Sequence, residues 1–127
     1  MDDFKHINDT YGHTVGDQFL IEIASRLKFS LREFDSVTRM GGDEFILLIP
    51  EIQSSEQVEA LVGRILERVK SPFILSGATF SPACSIGIAL YPEQGETPEA
   101  LIANSDRALY LAKKLGKNSY AFAGDKR

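Results

Sequence analysis

The sequence predicts an α/β (α+β) fold, helices flanking a mostly antiparallel sheet, in a single domain over residues 1–127. Three observations predict it. Three stretches carry apolar residues at helical spacing behind capping residues. Two adjacent glycines, Gly41 and Gly42, join two short β-prone runs, and Ser76-Gly77 joins a second such pair. The resulting order is helix, hairpin, helix, strands, helix, strand.

The opening Met1-Asp2-Asp3-Phe4 is too short to be a strand of its own. From Asn8 to Asp17 the chain is rich in Gly, Asp, Asn and Thr and reads as a loop with at most one helical turn. Asp17 is a good N-cap, and Phe19, Leu20, Ile23, Ala24 and Leu27 then form one apolar stripe that fades near Ser30 or Leu31. Val37 to Met40 and Phe45 to Ile49 flank the glycines, and Pro50 ends the second strand. Ser54, with Gln57 three residues on, is a capping-box start. Val58, Leu61, Val62, Ile65, Leu66 and Val69 follow at helical spacing until Pro72.

Residues 73–75 and 78–80 read as a small hairpin, Pro82 limits pairing in the next run, and Cys84 to Leu90 reads as a strand. Thr97-Pro98 places an N-cap before a proline at the first helical position. Leu101, Ile102, Ser105, Ala108, Leu109 and Ala112 are the expected inner face of that helix. Lys113 and Lys114 occupy its last turn, with Gly116 just past it and a closing strand over 118–122.

Lys plus Arg is 14 against 18 Asp plus Glu, a formal charge of −4. That balance argues against DNA or RNA as a partner, which usually needs a basic face. It leaves room for a nucleotide, since one phosphate site needs only a few placed cations. The single Cys84 excludes an internal disulfide and fits a reducing cytosol, so a cytoplasmic location is expected. No apolar run approaches the ~20 residues needed to cross a bilayer, and no signal-peptide pattern is present, so no membrane segment is expected in this chain.

Chemistry concentrates at Gly41-Gly42-Asp43-Glu44-Phe45. Glycines supply the positive φ a tight hairpin needs, and the two acids fall where the chain reverses. They are either incidental turn residues or a paired carboxylate site for Mg²⁺, which takes hard oxygen ligands and keeps waters and phosphate oxygens.

That pentapeptide resembles the signature of the GGDEF family, the diguanylate cyclases. Phe4-Lys5-His6-Ile7-Asn8-Asp9, Gly12-His13 and Gly16-Asp17 resemble the family's FKxIND…GHxxGD segment, and Ser85-Ile86-Gly87 its SIG strand. Asp106 to Tyr110, Ala112-Lys113 and Gly116-Lys117-Asn118 resemble its last helix and exit. The matches keep family order over nearly the whole chain.

The resemblance implies a nucleotide-cyclase/polymerase-palm-like βαββαβ core. It also implies condensation of two GTP into cyclic di-GMP plus two pyrophosphates by an antiparallel homodimer using Mg²⁺ (or Mn²⁺). Asp43 and Glu44 are then the catalytic residues, and they hold metal together with the backbone oxygen of Met1. GTP binding falls to Asn8 and Asp17 at the base, to Asp3, Phe4, Lys5, Lys113 and Lys117 at the phosphates, and to Gly41 and Gly42. Lys117 departs from the family, which more often has arginine there. Read locally, Asn8 and Asp17 are also a turn residue and an N-cap, and the lysines also solvated charges. His13 is expected to be structural, and Asp106 to bond nearby backbone or Arg107. Arg32-x-x-Asp35 matches the family's product-inhibition site for cyclic di-GMP, or is a surface ion pair.

The family's first metal-binding aspartate lies on a strand two residues before the position of Asp2, which falls ahead of Met1. The domain is therefore expected to be incomplete at its N-terminus, and this chain weakly active or inactive alone. An alternative is a degenerate module that binds GTP or cyclic di-GMP as a sensor without turnover.

Overall fold

Ten elements follow one another along the chain in a computed structural model that describes residues 4–124. They group into two compact units, Met1–Ala83 and Cys84–Arg127. Among the described residues, no helix is long and apolar enough to cross a membrane.

The first unit opens with two helices, α1 (Phe4–Tyr11) and α2 (His13–Ser30). The expected loop over 8–17 is therefore helical, broken only at Gly12, whose φ of 91° lets the chain turn between them. Asp17 is not an N-cap. It lies inside α2, which begins four residues earlier with no side-chain cap on Gly12. Local polarity suggested a loop, but Ile7, Val15 and Phe19 are buried, and burying them rewards two short helices over an open coil.

A hairpin follows, β1 (Ser36–Gly41) and β2 (Glu44–Leu48), then α3 (Ser55–Val69). The Ser54 hydroxyl accepts from the Gln57 N–H at 3.2 Å, and the Gln57 side chain accepts from the Gln53 N–H at 2.9 Å. This is the expected reciprocal cap, with its return arm one residue earlier than the usual box. The stripes of α2 and α3 are buried as expected, with Ala24 and Leu66 at their half-buried margins.

β3 (Phe73–Leu75) and β4 (Ala78–Phe80) form the small hairpin. Ser76 and Gly77 both take positive φ, 51° and 78°, as a two-residue type I′ turn requires. Phe73 and Phe80 face each other at 5.9 Å between ring centroids, and Phe19 lies 5.6 and 5.9 Å from them. This aromatic cluster ties α2 to the hairpin.

Arg26 ends α3. Its Nη1 donates to the carbonyls of Val69 (2.7 Å), Ser71 (2.5 Å) and Arg68 (3.3 Å). Nε pairs with Glu22 at 3.1 Å, and the guanidinium lies 4.8 Å from the Phe73 ring centroid. The last carbonyls of a helix have no partner within it, so a cation there satisfies them and opposes the helix dipole. Arg26→Ala is expected to cost about 2–3 kcal/mol, the range for charged hydrogen bonds to groups left unpaired. Arg26→Lys should recover less than half, because an ammonium lacks the planar fork. Urea denaturation of both variants checks this, and an unchanged midpoint for Arg26→Ala would refute it.

In the second unit, β5 (Ser85–Ile88) leads through α4 (Pro98–Leu115) to β6 (Ser119–Phe122). β5 and β6 pair in parallel, Ser85 opposite Ser119 and Ile88 opposite Phe122. The mostly antiparallel character expected holds for two ladders, while this third one is parallel because a helical crossover separates its strands. β5 is shorter than expected at both ends. The Cys84 N–H turns to the Asn118 side chain at 3.3 Å and the Leu90 N–H to Gln94 Oε1 at 2.8 Å, removing both from the ladder.

Thr97 caps α4 through the Ala100 N–H at 3.1 Å, and Gly116, at φ 112°, ends it. Ser119 adds a closure the sequence did not suggest, its hydroxyl reaching the carbonyls of Ala112 (2.5 Å) and Gly116 (2.7 Å). Ala108, Ala112 and Ala121 form a small-residue core where α4 meets β6. Ile102 is exposed rather than inward, because the packed face is turned toward Asn104, which donates to the Gln94 carbonyl at 2.8 Å.

Candidate active site

The β1/β2 hairpin carries the two acids. Its turn is Gly42-Asp43, while Gly41 is the last residue of β1 and pairs with Glu44. The glycines are thus not both turn residues as expected. Gly41 has φ 142° and Gly42 φ 52°, both regions that L side chains avoid. A register shift between Arg39 and Gly41 inserts an extra residue beside the tip. Arg39 Nε donates to the Gly42 carbonyl at 2.8 Å and so braces the turn. No sequence pattern had singled Arg39 out, since the bond depends on the bulge geometry. A Cβ built on either glycine meets nothing within 4 Å, so the space over the tip is open.

Asp43, half-buried in the turn, and Glu44, exposed at the start of β2, are adjacent carboxylates on this tip. Hard oxygen donors of this kind suit Mg²⁺ or Mn²⁺. Among the described residues, no group of three or more His, Cys, Asp or Glu converges. Asp43 and Glu44 are the two residues on this tip that could hold such a cation. Met1 and Asp3 lie outside the described residues.

The two residues expected at the base lie on α1 and α2. Asn8 is half-buried on α1, and its Oδ1 is buried with no hydrogen-bond partner. That oxygen abuts Gly16, so Asn8 lies beside the residue preceding Asp17, which is exposed. Lys5 is exposed on α1, and Phe4 stacks on Phe19 at 6.5 Å between centroids. Gly16 was not among the site residues read from the sequence. The available signal was Gly16-Asp17 in the GHxxGD resemblance, whereas its place inside a helix became visible only in the fold.

In the second unit Lys113 is exposed in the last turn of α4, and Lys117 follows Gly116. Lys114 Nζ sits 4.4 Å from the Tyr110 ring centroid, so it has a local role. Asp106 is an exposed helical residue, and Arg107 donates to Asn104 Oδ1 at 3.2 Å rather than to Asp106.

Arg32 and Asp35 are paired. Arg32 Nε lies 3.4 Å from Asp35 Oδ2, and the Arg32 backbone N–H donates to the same oxygen at 2.9 Å. Arg32 Nη2 also donates to the Pro50 carbonyl at 3.0 Å. The Asp35 side chain is 0% exposed and that of Arg32 44%. The surface ion pair is present, with the Arg32 side chain partly open to solvent.

The carboxylates on the glycine hairpin and the polar pair on α1 and α2 belong to one mixed helix–strand unit. The family model described as "Diguanylate cyclase, GGDEF domain" matches residues 1–119, and the chain belongs to the GGDEF family. It is 43% identical over 96% of its length to the bifunctional diguanylate cyclase/cyclic di-GMP phosphodiesterase MucR of Pseudomonas aeruginosa, spanning 18% of that protein. The solved GGDEF domain of TpbB from the same species matches with a TM-score of 0.94 at 42% identity, over 98% of this chain and 78% of that one. The GGDEF domain of DgcB from Caulobacter crescentus, solved in complex with c-di-GMP, matches at 0.82 and 28% identity, over 98% and 74%. The chain spans 28% of the curated TpbB sequence.

Proposed function

We propose that this chain is the catalytic GGDEF domain of a diguanylate cyclase, condensing two GTP into cyclic di-GMP and two pyrophosphates. The observation that carries the proposal is the Gly42-Asp43 turn, which sets two carboxylates on an open hairpin tip braced by Arg39. In the proposed reaction two domains meet antiparallel, each presenting one GTP. Each ribose 3′-hydroxyl attacks the α-phosphate of the other nucleotide. Two P–O bonds form, two pyrophosphates leave, and two protons are released.

Asn8 and Asp17 hold the guanine, whose edge offers an acceptor beside donors. Lys5 supplies a compact charge to the triphosphate. Gly41 and Gly42 leave room for it to approach the backbone. Asp43 holds Mg²⁺ or Mn²⁺, and Glu44 is a second ligand or accepts the hydroxyl proton. When bound, the ion offsets charge building on the phosphoryl oxygens. Incubation with GTP and Mg²⁺ tests the reading: cyclic di-GMP should appear with two pyrophosphates for each product molecule. GTP binding without product would favour a sensor module.

A second role, product binding, is favoured by the partly exposed Arg32 side chain beside the covered Asp35. A planar fork of this kind can bind guanine or phosphate in exchange for the Pro50 carbonyl. Arg32→Ala is expected to abolish cyclic di-GMP binding in calorimetry and to leave GTP affinity within twofold, about 0.4 kcal/mol. Equal product affinity in both proteins would leave Arg32 as a structural ion pair alone.

A further inference from the structure

We infer that Gly16 is a positioning residue for base recognition: its missing side chain is what lets Asn8 take its place in the nucleotide site. The inference rests on the guanine reading of Asn8 and Asp17. Gly16 is buried in the second turn of α2, and its backbone does not require glycine. Glycine is a poor helix former, so its presence there has another cause. A Cβ at this position would collide with Asn8 Oδ1, come within 3.0 Å of Asn8 Cγ and lie 3.5 Å from Phe4 Cε1.

Asn8 Oδ1 is buried without a hydrogen-bond partner. A buried acceptor in that state is costly and needs a reason. Here the oxygen is seated against Gly16 by contact, not by a donor. Its inward seat leaves the NH₂ end of the amide to meet a ligand. Asp17 follows Gly16 in α2, and a donor from the Asn8 amide with an acceptor from the Asp17 carboxylate matches guanine's O6 acceptor next to its N1–H donor. Adenine presents the opposite order at those two atoms.

The colliding atom is the end of a flexible side chain. A methyl group at Gly16 would therefore turn Asn8 away while the helices stay packed. The fold should survive and recognition should not.

The test compares wild type, Gly16→Ala, Asn8→Ala and the double variant, by calorimetric titration with GTP and with ATP and by thermal unfolding. Gly16→Ala is expected to weaken GTP binding about tenfold, as for one lost hydrogen bond, and to erase most of the preference for GTP over ATP. In the Asn8→Ala background the same substitution should change GTP affinity less than about twofold, because the amide it displaces is gone. If Gly16→Ala lowers the melting temperature, the double variant should recover it. Wild-type affinity and selectivity in Gly16→Ala would overturn the inference, as would an equal loss in both backgrounds or a double variant as unstable as the single. Asn8→Ala with unchanged affinity and selectivity would overturn the guanine reading itself, and this inference with it.

Discussion

Gly87→Ala is expected to lower stability by about 3 kcal/mol, at or beyond the upper end for overpacked cores. Gly87 sits in β5 directly beneath α4, and a Cβ there would collide with the Ser105 carbonyl oxygen and the Leu109 nitrogen and come within 2.8 Å of Leu109 Cα. All three are backbone atoms, so no side chain can rotate away. Relief requires lifting α4 off β5, which would also open the contact of Ala108 and Ala112 with Ala121. A matched control lies on α3. Gly63 is exposed in mid-helix with nothing within 4 Å of a built Cβ. Gly63→Ala should therefore stabilise by about 0.5–1 kcal/mol through helix propensity alone. Urea denaturation followed by circular dichroism separates the two, and equal midpoints for wild type and Gly87→Ala would mean that α4 is not seated as described.

Asp43→Asn is expected to lower cyclic di-GMP formation by about 10²-fold or more, because it weakens the hold on the cation proposed to offset the developing phosphoryl charge. The substitution keeps size and shape and removes the charge. Asp43 has a partner within the fold, so thermal unfolding must accompany the assay to separate a metal role from a turn role. The signature of the metal role is a Mg²⁺-dependent part of GTP affinity that disappears in the variant while the melting temperature stays near wild type. Glu44→Gln should cost less, since Glu44 is exposed and is assigned a supporting part. A rate within threefold of wild type for Asp43→Asn, less than about 0.7 kcal/mol, would remove Asp43 from the metal site.

The sequence by itself determined the element order from α2 onward and most of the caps. Ser54, Thr97 and Gly116 end or begin helices through bonds within a few residues, so their spacing alone suffices. It determined the apolar stripes of α2 and α3, and it placed Asp43 and Glu44 at a chain reversal. It also determined the family, because motifs in fixed order over residues 1–119 leave little freedom.

Tertiary structure alone decided the rest. The stretch over 8–17 is polar and reads as a loop, yet burial of Ile7, Val15 and Phe19 makes it two helices. The parallel pairing of β5 with β6 joins residues 34 apart, as Ser85 opposite Ser119 shows, beyond the reach of any local pattern. Arg26 carries no local signal, and only the α2–α3 packing brings it to the carbonyls at the end of α3. Gly16 and Gly87 look alike in sequence and differ in what stands over them: the end of a side chain in one case, a helix backbone in the other. Periodicity and capping act over a turn or two of chain, whereas close approach is set by which distant atoms arrive, and only the folded chain brings them there.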